Sequence, residues 1–149
     1  MDAIALLKQD HKMVRTMLNE LAETTTRAKK TRTELLQKIK IELEAHTKIE
    51  EEIFYPAFKA AGEKADDNKM FFEALEEHRA AGDLVLPDLL RTDVTSDQFS
   101  GRAKVLKELV EHHADEEERD MFPRARALMD KAQLQQLGER MARRKAELI

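Results

Sequence analysis

The sequence predicts an all-α protein: an antiparallel up-down-up-down four-helix bundle followed by a short extra C-terminal helix. Three observations carry that expectation. Ala, Leu, Glu, Lys and Arg dominate, with only four glycines and three prolines among 149 residues, and these residue types lose little rotamer freedom in a helix. Apolar positions recur at steps of three and four, the period of a buried helical stripe. Short polar connections separate the stripes, and short links make sequential helices antiparallel neighbours. No alternating run of β-branched and aromatic residues bounded by turn residues argues for a strand. The length fits one domain spanning residues 1–149, with the bundle over about 2–129 and the terminal helix over about 130–149.

Asp2 is the expected cap of the first helix, whose stripe reads Ile4, Leu7, Val14, Leu18 and Leu21, with His11 filling the missing member. Thr24 to Lys30 reads as a loop, and Thr31 with Glu34 has the spacing of a capping box opening the second helix. That helix places Leu35, Ile39, Leu43, His46, Glu50 and Ile53 on one face. Gly62 to Asn68 is the next break, with Asp67 or Asn68 as the expected cap. The third helix aligns Phe71, Leu75, His78, Gly82, Val85 and Leu89, and Pro87 predicts a kink or an early end. Ser96 caps a fourth helix burying Phe99, Ala103, Leu106, Val110, His113, Glu117 and Met121. A fifth, from Asp130 with Leu134, Leu137 and Met141, is expected to pack on the outside of the bundle.

Several function classes are excluded or disfavoured. The net charge is −4, with one Tyr and no Trp, which leaves no electrostatic footprint for nucleic acid. The basic clusters Arg124–Arg126 and Arg140–Lys145 read as solvated charges near helix C-termini. There is no cysteine, hence no disulfide or thiolate site. No apolar run approaches the roughly 18 residues of a membrane span. Met1-Asp2-Ala3-Ile4 lacks the basic start of a secretory leader, so a cytoplasmic protein without a membrane partner is expected, as monomer or weak homo-oligomer.

The chemistry lies in an internal repeat. At an offset of 67 residues His11 aligns with His78, His46 with His113, Glu50 with Glu117 and Pro56 with Pro123. Ile39 matches Leu106, Leu43 matches Val110 and Phe54 matches Met121 in kind, so one helix-pair unit occurs twice. Positions i and i+4 share a helix face, so His46/Glu50 and His113/Glu117 point inward together while His11 and His78 each add one imidazole. Four imidazoles and two carboxylates without thiolate suit iron, manganese or zinc. Two imidazoles would hold each of two ions and both carboxylates would bridge. A lone buried histidine is usually just hydrogen-bonded, and an HxxxE pair is often a surface ion pair. Neither alternative accounts for six polar residues on inward stripes in repeat register, because two buried, unpartnered glutamates would cost several kcal/mol each.

The pattern H…HxxxE…H…HxxxE, formed by His11, His46/Glu50, His78 and His113/Glu117, resembles that of the hemerythrin-like HHE cation-binding proteins over residues 11 to 123. The resemblance implies a four-helix bundle with two iron ions joined by an oxo or hydroxo bridge, iron ranking ahead of manganese or zinc. It sets the chain apart from ferritin-like di-iron proteins, whose motif is Glu-x-x-His. Oxygen-carrying hemerythrins have a fifth histidine one turn beyond the third-helix histidine, where this chain has Gly82. That departure leaves coordination positions open and weakens the case for simple oxygen carriage. The expected function is therefore a catalase-like reaction with hydrogen peroxide, or a reaction with dioxygen. The alternatives are a module that binds or senses oxygen, nitric oxide or iron without turnover, and a structural zinc site.

Tyr55 stands where the repeat has Phe122. It is expected to be a packing aromatic, a hydrogen-bond donor at the metal, or a phenolate ligand; an ideal helix turns it well away from Glu50, but the adjacent Pro56 can disturb that path. His112, whose counterpart is Ala45, lies about 100° around the helix from His113 and reads as a surface residue or a support for a ligand. Asp10, Glu76 and Glu77 flank ligand candidates, and Glu51, Glu52, Glu116 and Glu118 adjoin the glutamates. All are expected chiefly at the surface, Asp10, Glu76 and Glu77 with a second reading as residues that orient neighbouring side chains.

Overall fold

A computed structural model describes residues 1–149. The chain is all-helical: α1 (Ala3–Glu23), α2 (Lys29–Ile49), α3 (Tyr55–Ala61), α4 (Ala65–His78), α5 (Leu86–Leu90), α6 (Asp97–Glu116), α7 (Phe122–Leu128) and α8 (Lys131–Leu148). Three π-helical segments, Glu50–Phe54, Arg79–Val85 and Glu117–Met121, join α2 to α3, α4 to α5 and α6 to α7 without a break. α1 packs against α2, α6 and α8, while α4 and the segment after it pack against α6.

Each π segment ends just before a proline. Pro56, Pro87 and Pro123 have no N–H to give the carbonyl four residues back, and their rings would collide with it in an α-helix. One extra residue in the preceding turn removes the conflict. The widened turns are closed by five-residue bonds from Tyr55 N–H to Glu50 O, Leu86 N–H to Ala81 O, and Phe122 N–H to Glu117 O. The kink expected at Pro87 is therefore a change of register. The buried face after His78 runs through Ala81, Leu86 and Leu89, leaving Gly82 and Val85 half-buried.

The stripes of α1, α2 and α6 are buried throughout, from Ile4 to Leu21, Leu35 to Ile53 and Phe99 to Met121. They form two apolar clusters. One gathers Ile4, Leu7, Phe54, Phe58, Phe122 and Met141; the other gathers Val14, Leu18, Ile39, Leu86, Phe99 and Leu106. His11 lies between Leu7 of the first cluster and Val14 of the second, and His46 between Leu43 and Ile49. The polar site is thus a layer across the molecule with a dry core on either side.

Helix starts follow the expectation at Asp2, which accepts from Ala5 N–H at 2.8 Å, and at Ser96, which accepts from Phe99 N–H at 3.1 Å. Two differ. α2 opens at Lys29, two residues before Thr31, with no side-chain cap. The stabilising residue there is Arg32, 1% exposed, which donates to Thr24 Oγ1, Thr24 O, Val94 O and Ser100 Oγ and ties two connections together. α4 opens after Lys64, and Asp67 accepts from Glu63 N–H and Lys64 N–H from inside the first turn. Arg124 donates to the same carboxylate at 2.7 and 3.0 Å, so it is an interhelical anchor and not a solvated charge.

The terminal helix packs against α1 and α2. α8 has 18 residues, and its Leu134, Leu137 and Met141 belong to the first core cluster. Gly138 admits the N-terminus of α1: a Cβ there would collide with the backbone of Met1, Asp2 and Ala3.

Candidate metal centre

His11 comes from α1, His46 from α2, His78 from α4 and His113 from α6, while Glu50 and Glu117 open the π segments that follow α2 and α6. All six are buried, at 8% exposure or less. Their donor atoms form two groups, each within 4.8 Å: His11, His46, Glu50 and Glu117, and Glu50, His78 and His113. Glu50 is common to both. Its Oε1 lies 3.0 Å from His46 Nε2, 3.0 Å from His78 Nε2 and 3.8 Å from His113 Nε2. Glu117 Oε1 lies 3.0 Å from His11 Nε2 and 3.2 Å from His113 Nε2, so it too spans the groups.

The π segment brings Tyr55 into this layer. Five α-helical steps from Glu50 would rotate Tyr55 about 140° away, but the wider turn returns it toward the same face. Its hydroxyl donates to Glu117 Oε2 at 2.7 Å and lies 3.1 Å from both His78 Nε2 and His113 Nε2. Phe122 follows the repeat, stacking on His11 at 5.7 Å as Tyr55 lies 5.2 Å from His78.

Behind the imidazoles is a closed ring of carboxylates. Asp10 of α1 meets His46 Nδ1 at 3.0 Å, Glu51 meets His78 Nδ1 at 2.8 Å, Glu77 of α4 meets His113 Nδ1 at 2.6 Å, and Glu118 meets His11 Nδ1 at 3.0 Å. Each acid stands next to one inward residue and orients the histidine of the next helix around the ring. Bound this way at Nδ1, every imidazole presents Nε2 to the centre, in the carboxylate–histidine arrangement that fixes tautomer and ring direction at metal sites. Asp10, Glu51, Glu77 and Glu118 are therefore not merely solvated. The signal was in the sequence, since Asp10 aligns with Glu77 and Glu51 with Glu118 at the same offset of 67. Glu76 and Glu52 are surface residues paired with Arg79 and Arg144. His112 is 64% exposed, 3.0 Å from Glu116 and 3.4 Å from Glu77.

The buried carboxylates and imidazoles shift one another's ionisation in opposite directions. Burial opposes charge on His46, but Glu50 and Asp10 outweigh it and raise its pKa to about 10. His78 and His113 are likewise raised against burial by their carboxylates. Burial works against the Glu50 carboxylate, yet His46 and its hydrogen bonds hold its pKa well below the usual range. Burial and the charges of Glu117 and Glu50 push the Tyr55 hydroxyl well above 10, keeping it a phenol in the metal-free protein. Glu50 Oε2 is buried without a hydrogen-bond partner, and the 3.0 Å approach of His46 Nε2 to Glu50 Oε1 lacks the angle of a hydrogen bond. Orphaned polar atoms of this kind are costly, and both belong to the group that could hold an ion. The residues fit a metal.

A cavity of about 30 Å³ adjoins the four histidines, walled by Val14, Leu43, Thr47, Ala81, Gly82 and Val110 among others. Glu50, Glu117 and Tyr55 take no part in its wall. Leu43, Thr47 and Gly82 also line an outer groove that opens to solvent.

A layer of histidines and glutamates set across an all-helical fold defines a cation-binding protein of the hemerythrin kind. The family model described as the hemerythrin HHE cation binding domain matches residues 2–125, and the chain belongs to that family. It is 33% identical over 149 residues to an uncharacterized protein of Mycobacterium tuberculosis, Rv2633c, covering 99% of this chain and 88% of the relative. A Mycobacterium bovis protein, Mb2666c, also uncharacterized, matches with the same identity and coverage. A crystal structure of a hemerythrin HHE cation-binding domain-containing protein from Mycobacterium kansasii, described as a homologue of Rv2633c, superposes with a TM-score of 0.84. It shares 33% identity, over 99% of this chain and 87% of that one. No helix is long and apolar enough to cross a membrane.

Proposed function

We propose that the chain is a non-haem di-iron protein that decomposes hydrogen peroxide in a catalase-like reaction, two peroxides yielding two waters and one dioxygen. In this reading the long helices run as an antiparallel up-down-up-down bundle and hold two irons with an oxo or hydroxo bridge. His11 and His46 hold one ion, His78 and His113 the other, and Glu50 and Glu117 bridge. Tyr55 would complete the second ligand set as phenolate, or keep its proton and fix Glu117 as a donor. When bound, the metal pair supplies Lewis acidity and a store of electrons.

The chain's own part is geometric. The carboxylate ring fixes all four imidazoles with Nε2 inward, and the two apolar clusters keep bulk water from the layer. The observation that carries the choice of reactant is the cavity of about 30 Å³ beside the histidines. Such a volume admits one or two water-sized molecules, which suits peroxide, a diatomic or another ligand of two or three atoms. No fifth imidazole occupies its wall, because position 82 is glycine with no atom within 4 Å of where a Cβ would be.

The test is metal content per chain together with the optical spectrum and oxygen evolution on adding peroxide. Two irons, an oxo-bridge charge-transfer band, and turnover lost in His113→Ala support the proposal. Two irons without turnover favour the second reading, a module that binds or senses oxygen, nitric oxide or iron, which the same small cavity would serve. One zinc, or no metal, would overturn both.

A further inference from the structure

The carboxylate ring obeys the twofold repeat, but the charges behind it do not. On the His11/His46 side each carboxylate is met by a cation. Arg15 Nη1 donates to Glu118 Oε2 at 2.9 Å, and Lys145 Nζ donates to Asp10 Oδ1 at 2.6 Å and reaches Glu42 at 3.1 Å. On the His78/His113 side neither Glu51 nor Glu77 pairs with a lysine or arginine; beyond His113, Glu77 meets the exposed His112 and the carboxylate of Glu116. The repeat position of Arg15 is Gly82. Lys145 has no counterpart, because α8 lies beyond the repeated helix pairs.

We infer that Lys145, with Arg15, is a positioning residue that makes the two metal positions electronically unequal, so that the ion held by His11 and His46 is reduced first. A carboxylate on Nδ1–H draws the proton toward itself and makes Nε2 a stronger donor. A cation on the other oxygen of that carboxylate opposes the effect. Asp10 is 3% exposed and Lys145 15%, so solvent screens this pair far less than a surface pair. Burial opposes the Lys145 charge, but the hydrogen bonds to Asp10 and Glu42 outweigh it and keep the ammonium charged. The bond lengths point the same way: Glu77, without lysine or arginine, lies 2.6 Å from His113 Nδ1, whereas Asp10 lies 3.0 Å from His46 Nδ1. His46 is thus the weaker donor, and the position it serves favours the ferrous state.

The inference rests on the two-iron reading and is tested by stepwise reductive titration of the iron-loaded protein. Lys145→Met should lower the higher of the two one-electron potentials by about tenfold in the equilibrium constant, roughly 59 mV, leave the lower step nearly in place, and retain two irons. Lys145→Gln, which keeps a hydrogen bond without the charge, should shift it likewise, and Lys145→Arg should restore it. Arg144→Ala removes a cation from the same helix, one paired with Glu52 at the surface, and should leave both steps unchanged. A lower melting temperature in Lys145→Met and Lys145→Gln with unmoved potentials would reduce Lys145 to a docking contact and overturn the inference alone. A wild-type protein that binds no metal would overturn the two-iron reading with it.

Discussion

Tyr55 reaches Glu117 Oε2 with its hydroxyl, at 2.7 Å, from a chain position that an uninterrupted α-helix would turn away from the site. The link joins the two halves of the repeat and ties α3 to the π segment after α6. Tyr55→Phe removes the donor and leaves a buried carboxylate oxygen without it. A hydrogen bond to a charged group contributes about 1.5–3 kcal/mol, so urea unfolding of the metal-free variant should show a loss of that size. In the iron-loaded protein, a broad visible band present in the wild type and absent in Tyr55→Phe would mark the phenolate. An unchanged spectrum would leave Tyr55 the donor that holds Glu117.

Removing any one member of the carboxylate ring should loosen the metal without unfolding the protein. Groups that orient metal-binding histidines typically account for 10–100-fold in affinity. Asp10→Asn, Glu51→Gln, Glu77→Gln and Glu118→Gln should each lower affinity within that range in competition with a chelator. Glu76→Gln should match the wild type, because Glu76 pairs only with Arg79 at the surface. Equal affinities across all five would mean that the ring does not act on the metal.

Much of the fold was legible because α1, α2 and α6 keep an uninterrupted α-helical period through their histidines, so a stripe drawn in the sequence is the stripe that is buried. The rest was lost where that period fails. Beyond His78 the π turn moves burial from Val85 to Leu86, and beyond Glu50 it returns Tyr55 to the site. Pro56, Pro87 and Pro123 mark the places, but a proline alone does not say whether a helix kinks, stops or widens. The carboxylate ring was misread for a different reason. A residue next to an inward ligand is rotated about 100° around its helix, which looks like solvent in a single helix. In the assembled layer that direction meets the back of the neighbouring imidazole.

The metal-free protein should lose stability as pH rises. His46 is held at about 10 against an ordinary value of 6.5. Between those values the folded state keeps a proton that the unfolded chain has given up, so stability from this group is full below about pH 6.5 and gone above about 10. His78 and His113 are raised and act in the same sense. Glu50 is lowered, so its contribution disappears only in acid. Iron binds neutral imidazole and displaces these protons, so apparent metal affinity should climb over the same interval. Melting temperatures of metal-free protein from pH 6.5 to 10 check this; a flat profile would show that the imidazoles are not protonated there.

Access to the centre should depend on position 82. Leu43, Thr47 and Gly82 are shared by the inner cavity and the outer groove, so the route between them passes the one residue without a side chain. Gly82→Phe can be accommodated on the backbone, since nothing lies within 4 Å of its Cβ position, but the ring then occupies the route. Azide, a small anion that binds ferric centres, should associate with iron-loaded Gly82→Phe at least tenfold more slowly, an effect of about 1.4 kcal/mol on the barrier, with two irons still bound. Gly101→Phe is the matched control: Gly101 is equally unobstructed, on the exposed face of α6. It changes helix propensity in the same direction and should leave azide binding as in the wild type. Equal slowing in both variants would indicate a general effect of replacing a helical glycine, and unchanged rates in Gly82→Phe would place the entrance elsewhere.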